Sequence, residues 1–138
     1  MENLNFRPYE SIGDYHFGVK LSILSVLINT DHRGDIDLSS KYIIQYDDIG
    51  YRFDKGKFTQ LYINLEVFIG KISMFNTDLT NEIGIESLIA KEPKIERKAH
   101  YVFPELGLTI SKDKKELYFF DKSLLANWQL VKRPITSW

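Results

Sequence analysis

The chain has 138 residues, 43% hydrophobic and 14% aromatic, and its eighteen basic and nineteen acidic side chains leave a formal charge of −1. That length suits one domain with a core of its own, and the apolar content excludes a disordered chain. The near-neutral balance lacks the basic footprint of a nucleic-acid binder, and the absence of cysteine removes disulfides, thiolate metal sites and cysteine nucleophiles.

Residues 1–11 read as polar and irregular, with Pro8 as a breaker. Leu21, Leu24 and Ile28 keep helical spacing, while Val19, Ile23, Val26 and Leu27 form an overlapping stripe. Apolar residues on most sides predict a helix buried deeply against a sheet. Residues 29–40 read as a polar loop. Alternation then predicts strands at 42–47 and 49–54, a hairpin turn at Lys55-Gly56-Lys57, and a strand through Leu61, Ile63 and Leu65. The apolar segment Val67 to Phe75 carries Gly70, which suggests a bulge or bend. A second helix fits Glu82 to Lys91, capped by Thr80 or Asn81 and stopped by Pro93. Further strands are expected at 100–103, 106–111, 115–120 and 127–132. The fold class is therefore α+β: two helix-plus-antiparallel-sheet repeats in one domain of residues 1–138, with the helices packed on one side of the sheet.

An internal similarity marks the repeats, at about 12–75 and 78–132. Asp48-Ile49-Gly50-Tyr51-Arg52-Phe53-Asp54-Lys55 parallels Glu105-Leu106-Gly107-Leu108-Thr109-Ile110-Ser111-Lys112, and Gln60-Leu61-Tyr62-Ile63 parallels Glu116-Leu117-Tyr118-Phe119. The segment Ser11-Ile12-Gly13-Asp14-Tyr15-His16-Phe17-Gly18, with Phe103-Pro104-Glu105-Leu106-Gly107-Leu108 later on, resembles the signatures of small bacterial proteins built from two helix-and-sheet repeats, in the style of the β-lactamase inhibitory protein. Some members of that group are immunity proteins beside bacterial toxins. The shared residues are glycine–hydrophobic structural signatures, so the resemblance implies a fold and not a chemistry. The cysteines and the export signal of the secreted inhibitor are absent, which favours a cytosolic inhibitor.

The search for chemistry finds little. Asp31, His32, Arg33, Asp35 and Asp37 form the densest polar cluster, but they lack the distal acidic residue of a calcium loop. His16, His32 and His100 never pair at zinc-binding spacing. There is neither a nucleophile elbow nor a phosphate loop. The expectation is no catalytic residue, no metal and no cofactor. Met1 to Asn5 lacks the character of a signal peptide, and no stretch approaches the roughly 20 apolar residues of a membrane span. A cytoplasmic protein with no membrane and no nucleic-acid partner is expected.

Aromatic placement says more. If Leu61 and Ile63 face the core, Tyr62 faces outward, and Tyr118 and Phe120 do the same in the second copy. With Arg52 and Glu66 they have the composition of a protein-contact face, although such residues also suit ordinary cross-strand packing. Asp31, Asp35 and Asp37 would steer a basic partner. The expected function is a protein-binding inhibitor that covers the active site of a cognate toxin. The alternatives are a small-molecule binder or minor enzyme with a helix–sheet cavity near His16, Tyr46 and Asp48, or a self-assembling subunit.

Overall fold

The computed structural model describes residues 2–32 and 43–130. The N-terminus is the first departure from expectation, for Glu2–Arg7 is a strand, β1. Its Leu4 and Phe6 are buried while Asn3 and Asn5 are exposed, a period of two that the asparagines conceal when the stretch is read as polar. β2 (Ser11–Ile12) and β3 (Tyr15–His16) fold back on it, followed by α1 (Leu21–His32). Then come β4 (Ile43–Gln45), β5 (Ile49–Asp54), β6 (Lys57–Asn64), β7 (Gly70–Met74) and β8 (Thr77–Asp78). The second half supplies α2 (Glu82–Lys91), β9 (Ile95–Glu96), β10 (His100–Phe103), β11 (Leu108–Ser111) and β12 (Glu116–Phe120). A 3-10 turn (Lys122–Leu124) and α3 (Leu125–Gln129) complete the described chain.

These strands make two sheets. The five-stranded sheet runs β3-β2-β1-β7-β8, with β1 and β7 parallel. The seven-stranded sheet runs β4-β5-β6-β12-β11-β10-β9 and is antiparallel throughout. Three strands from the first half thus meet four from the second at the β6–β12 pair. There Tyr62 lies opposite Tyr118, with Ile63 opposite Leu117 and Leu61 opposite Phe119. The sheet content is larger than the sequence reading implied, because β1 to β3 and β7 to β8 add a whole second sheet.

One continuous core fills the space between the sheets. Phe6 and Phe119 bring their ring centres to 4.6 Å, and Tyr15 and Tyr51 meet at 5.1 Å with a hydroxyl hydrogen bond of 3.1 Å. Leu24 and Ile28 of α1 and Ile85 and Leu88 of α2 close this core. Gly84 lets α2 approach closely, since a Cβ there would sit 2.0 Å from the Asp78 carbonyl oxygen. The helix starts where Asn81 Oδ1 accepts from the Ile83 N–H at 2.8 Å, one of the two caps expected.

Four further expectations need correcting. α1 is not buried on most sides, for Ile23 and Val26 are 64% and 68% exposed. The segment 127–132 is not a strand as far as it is described: Asp121 Oδ1 accepts from the Ser123 N–H and starts a helical turn that runs into α3. That turn packs on the opposite face of the seven-stranded sheet, so the helical elements are not all on one side. Gly70 is no bulge but the first residue of β7, paired with Glu2.

Candidate functional site

The outward face of the seven-stranded sheet carries the residues that alternation sent there, but α3 and the turn before it pack over part of it. Trp128 is fully buried over Tyr118, Phe120 and His100, with ring centres at 5.1, 5.9 and 5.5 Å. Its indole N–H donates to Gln60 Oε1 at 3.0 Å, which explains a glutamine that is only 4% exposed. Leu124 joins this second core, and Tyr9 stands edge-on to Phe120 at 6.0 Å. The Tyr9 hydroxyl donates to the Pro104 carbonyl, and Lys122 lies 5.4 Å over the Tyr9 ring. The turn at Gly107 (φ +67°) is tight against both: a Cβ there would meet the Phe120 carbonyl at 2.7 Å and the Tyr9 ring at 2.9 Å.

Two of the expected contact residues are therefore not open. Tyr118 is 8% exposed and Phe120 is fully buried. Their direction was right, but the C-terminal turn fills the space they face. Tyr62 is half-buried at the margin of that turn, and its hydroxyl donates to Glu116 Oε2 at 2.8 Å. Burial first, and then this bond to a carboxylate, push the Tyr62 phenol well above its ordinary range, so it remains a donor. Arg52 is held by Asp54 through two bonds, Nε to Oδ2 at 2.9 Å and NH2 to Oδ1 at 3.1 Å. Burial alone would raise the Asp54 carboxyl. The hydrogen bonds from Arg52 and Thr59, with the Arg52 charge, outweigh that and hold it low. Glu66 is exposed and lies 3.7 Å from Lys115.

Asp31 falls in the last turn of α1. Asp35 and Asp37 lie outside the described residues. The trio named for a helix–sheet cavity is spread over β3, the β4–β5 connection and its neighbours. His16 is exposed on β3, Tyr46 packs edge-on to Tyr51 at 6.4 Å, and Asp48 is half-buried, its carbonyl accepting from the Asn64 N–H. Two clefts of about 570 and 580 Å³ lie elsewhere, against Glu96, Arg97, Lys98 and Lys112, and against Asn5, Phe6, Arg7, Pro8, Glu10 and Phe75.

His100 was read as an ordinary strand residue, yet it sits among the site's titratable groups. It is 4% exposed between Tyr118 and Trp128, and its Nδ1 finds no partner among the described residues; neither does Oγ1 of the buried Thr109. Burial lowers the His100 pKa, while Glu116 and Asp113 partly offset the effect. Ser111 and the Lys115 N–H fix Asp113 by hydrogen bonds of 2.6 and 3.0 Å. The turn that covers this imidazole lies downstream of every strand, so strand alternation gave no sign of its burial. Among the described residues no three His, Asp or Glu side chains converge as metal ligands, and no helix is long and apolar enough to cross a membrane.

No protein-family model, curated protein or solved structure matches this chain.

Proposed function

We propose that the chain is a protein-binding inhibitor, a cytoplasmic immunity protein that neutralises a cognate toxin by covering its active site. The observation that carries this reading is the uncovered margin of the outward sheet face. There Tyr62 and the largely buried Arg52 stand on the seven-stranded sheet, held by Glu116 and Asp54, and the exposed Glu66 lies in the turn that follows β6. Aromatic and arginine side chains held in place before binding lose little entropy on docking, which is what contact hot spots require. The contact set is smaller than the sequence suggested, because Tyr118 and Phe120 support it from beneath.

The same reading includes a duplication. Its support is the register at the centre of the sheet, where the equivalent tyrosines 62 and 118 face each other and the neighbouring pairs follow symmetrically on both sides. A two-fold relation between repeats produces such a register.

The test is co-expression with the product of the adjacent gene, scored by growth rescue and co-purification. A stable complex with rescue is expected, and Tyr62→Ala should then cost about 2 kcal/mol or more of binding energy while the domain stays folded. Rescue without any effect of Tyr62→Ala or Arg52→Ala would move the contact to another surface. A partner gene that is toxic with or without this chain would end the inhibitor reading.

A further inference from the structure

We propose that the cleft against Glu96, Arg97, Lys98 and Lys112 is a binding site for a small phosphoryl-bearing anion. The cleft, of about 570 Å³, forms where two turns are tied together. The Arg97 N–H donates to the His100 carbonyl at 2.8 Å and closes the β9–β10 turn. The Lys112 N–H donates to the Ala99 carbonyl at 2.9 Å and fastens the β11–β12 turn beside it. Three cationic side chains and one carboxylate therefore line one shallow, open depression.

The stretch of sequence that supplies the cleft carries an excess of basic residues. Residues 91–115 hold seven Lys and Arg against four Asp and Glu, whereas residues 1–90 hold eight against thirteen. Lys114 and Lys115 of this stretch pair with Glu86 and Glu66 from outside it, whereas Arg97 and Lys98 have no carboxylate partner among the described residues.

The cations are also placed in advance. Arg97 NH2 donates to the Gln129 carbonyl at the end of α3, and Nε is buried without a partner. This bond orients the guanidinium, and among the described residues no carboxylate neutralises it. Lys112 Nζ lies 5.5 Å over the Tyr101 ring and 3.0 Å from Glu96. Glu96 is the one group that opposes an anion. Its side chain is 60% exposed and that of Lys112 33% exposed, and surface pairs of this kind hold only weakly in water. A dianion can displace it. Together the Arg97 guanidinium and the Lys98 and Lys112 ammonium groups of this lining suit the several oxygens and double charge of a phosphoryl group better than a single carboxylate.

The experiment uses the full chain, with thermal unfolding and amide chemical shifts followed against sodium pyrophosphate, ATP, and sodium chloride at matched ionic strength. A ligand that binds only the native state raises the midpoint saturably. The expected result is such a rise with pyrophosphate or ATP and not with chloride, with shifts centred on residues 95–99 and 111–113. An equal response to both assigns the site to the phosphoryl group alone, and a stronger response to ATP assigns it to a nucleotide. Lys98→Gln with Lys112→Gln should weaken the affinity about tenfold or more, the effect of losing charge-assisted hydrogen bonds, and leave the ligand-free midpoint in place. No rise beyond that with chloride, or an undiminished rise in the double variant, would overturn the proposal. None of these readouts depends on the toxin-rescue result.

Discussion

Two tyrosines at equivalent positions in the sequence have different work to do. Tyr62 and Tyr118 meet at a tilt across the central strand pair with ring centres 5.2 Å apart, and the Trp128 ring lies 5.1 Å from that of Tyr118, while Tyr62 stands at the edge of the same cluster. Replacing Tyr118 by alanine opens a cavity between two packed layers, and such truncations of large aromatics cost about 3–5 kcal/mol. Tyr62→Phe removes a hydrogen bond to a half-exposed carboxylate and should cost about 1 kcal/mol. Urea unfolding of the two variants separates them, and similar losses would mean that the covering turn does not stay in place. His100 makes a further prediction at this scale. Its native pKa lies below the ordinary 6.5, so the unfolded chain takes up a proton there before the native protein does. The stability it contributes is therefore complete above pH 6.5 and is lost as pH falls from that value through the depressed native one. The depressed carboxylates Asp54 and Asp113 lose their contribution only around and below their ordinary 3.8. A urea midpoint that declines between pH 7 and 5, with that decline absent in His100→Phe, is the expected outcome. An unchanged slope in the variant would remove His100 as its source.

At the scale of elements, legibility followed the range of the forces involved. The β5–β6 hairpin and α2 were readable because a Lys55-Gly56 turn, strict alternation and an Asn81 cap are local signals. β1 was missed because its partner β7 lies more than sixty residues away, and a two-residue apolar alternation says little without that partner. α3 was taken for a strand because Trp128 and its neighbours alternate, although Asp121 two residues before Ser123 is a start signal for a helical turn. The site divides in the same way. Side-chain direction on the sheet was readable from alternation, but exposure was not, since exposure depends on where a later element comes to rest. That element should depend heavily on one residue. Trp128→Phe keeps most of the buried area but leaves Gln60 Oε1 buried without its donor, a loss of about 1–3 kcal/mol. Trp128→Phe with Gln60→Leu should recover much of it, since replacing both partners by apolar groups removes the unmet acceptor. A double variant no more stable than the single one would show that the indole contributes by shape alone.

The whole molecule joins its halves through one strand pair and the two cores on either face of it. Five residue pairs, from Gln60–Phe120 to Asn64–Glu116, connect β6 to β12, and Phe6 reaches across from the first sheet to Phe119 of the second half. Neither half can lose its strands without exposing Leu61, Ile63, Leu117 and Phe119 of the shared interior, all of them fully buried. The expected consequence is a single cooperative transition despite the repeated pattern in the sequence. Far-UV dichroism reports both halves, whereas tryptophan fluorescence in a Trp138→Phe background reports Trp128 alone. Trp128 packs on residues from both sides of the central pair, on Gln60 from one and on Tyr118 and Phe120 from the other. Its signal should therefore change with the global one, and the two curves should superimpose in urea. If fluorescence changed first, the α3 cover would open while the sheet remained intact, exposing Tyr118 and Phe120 on the outward face. That result would enlarge the candidate contact surface beyond Tyr62, Arg52 and Glu66, and would make the C-terminal turn a competitor of any partner that docks there.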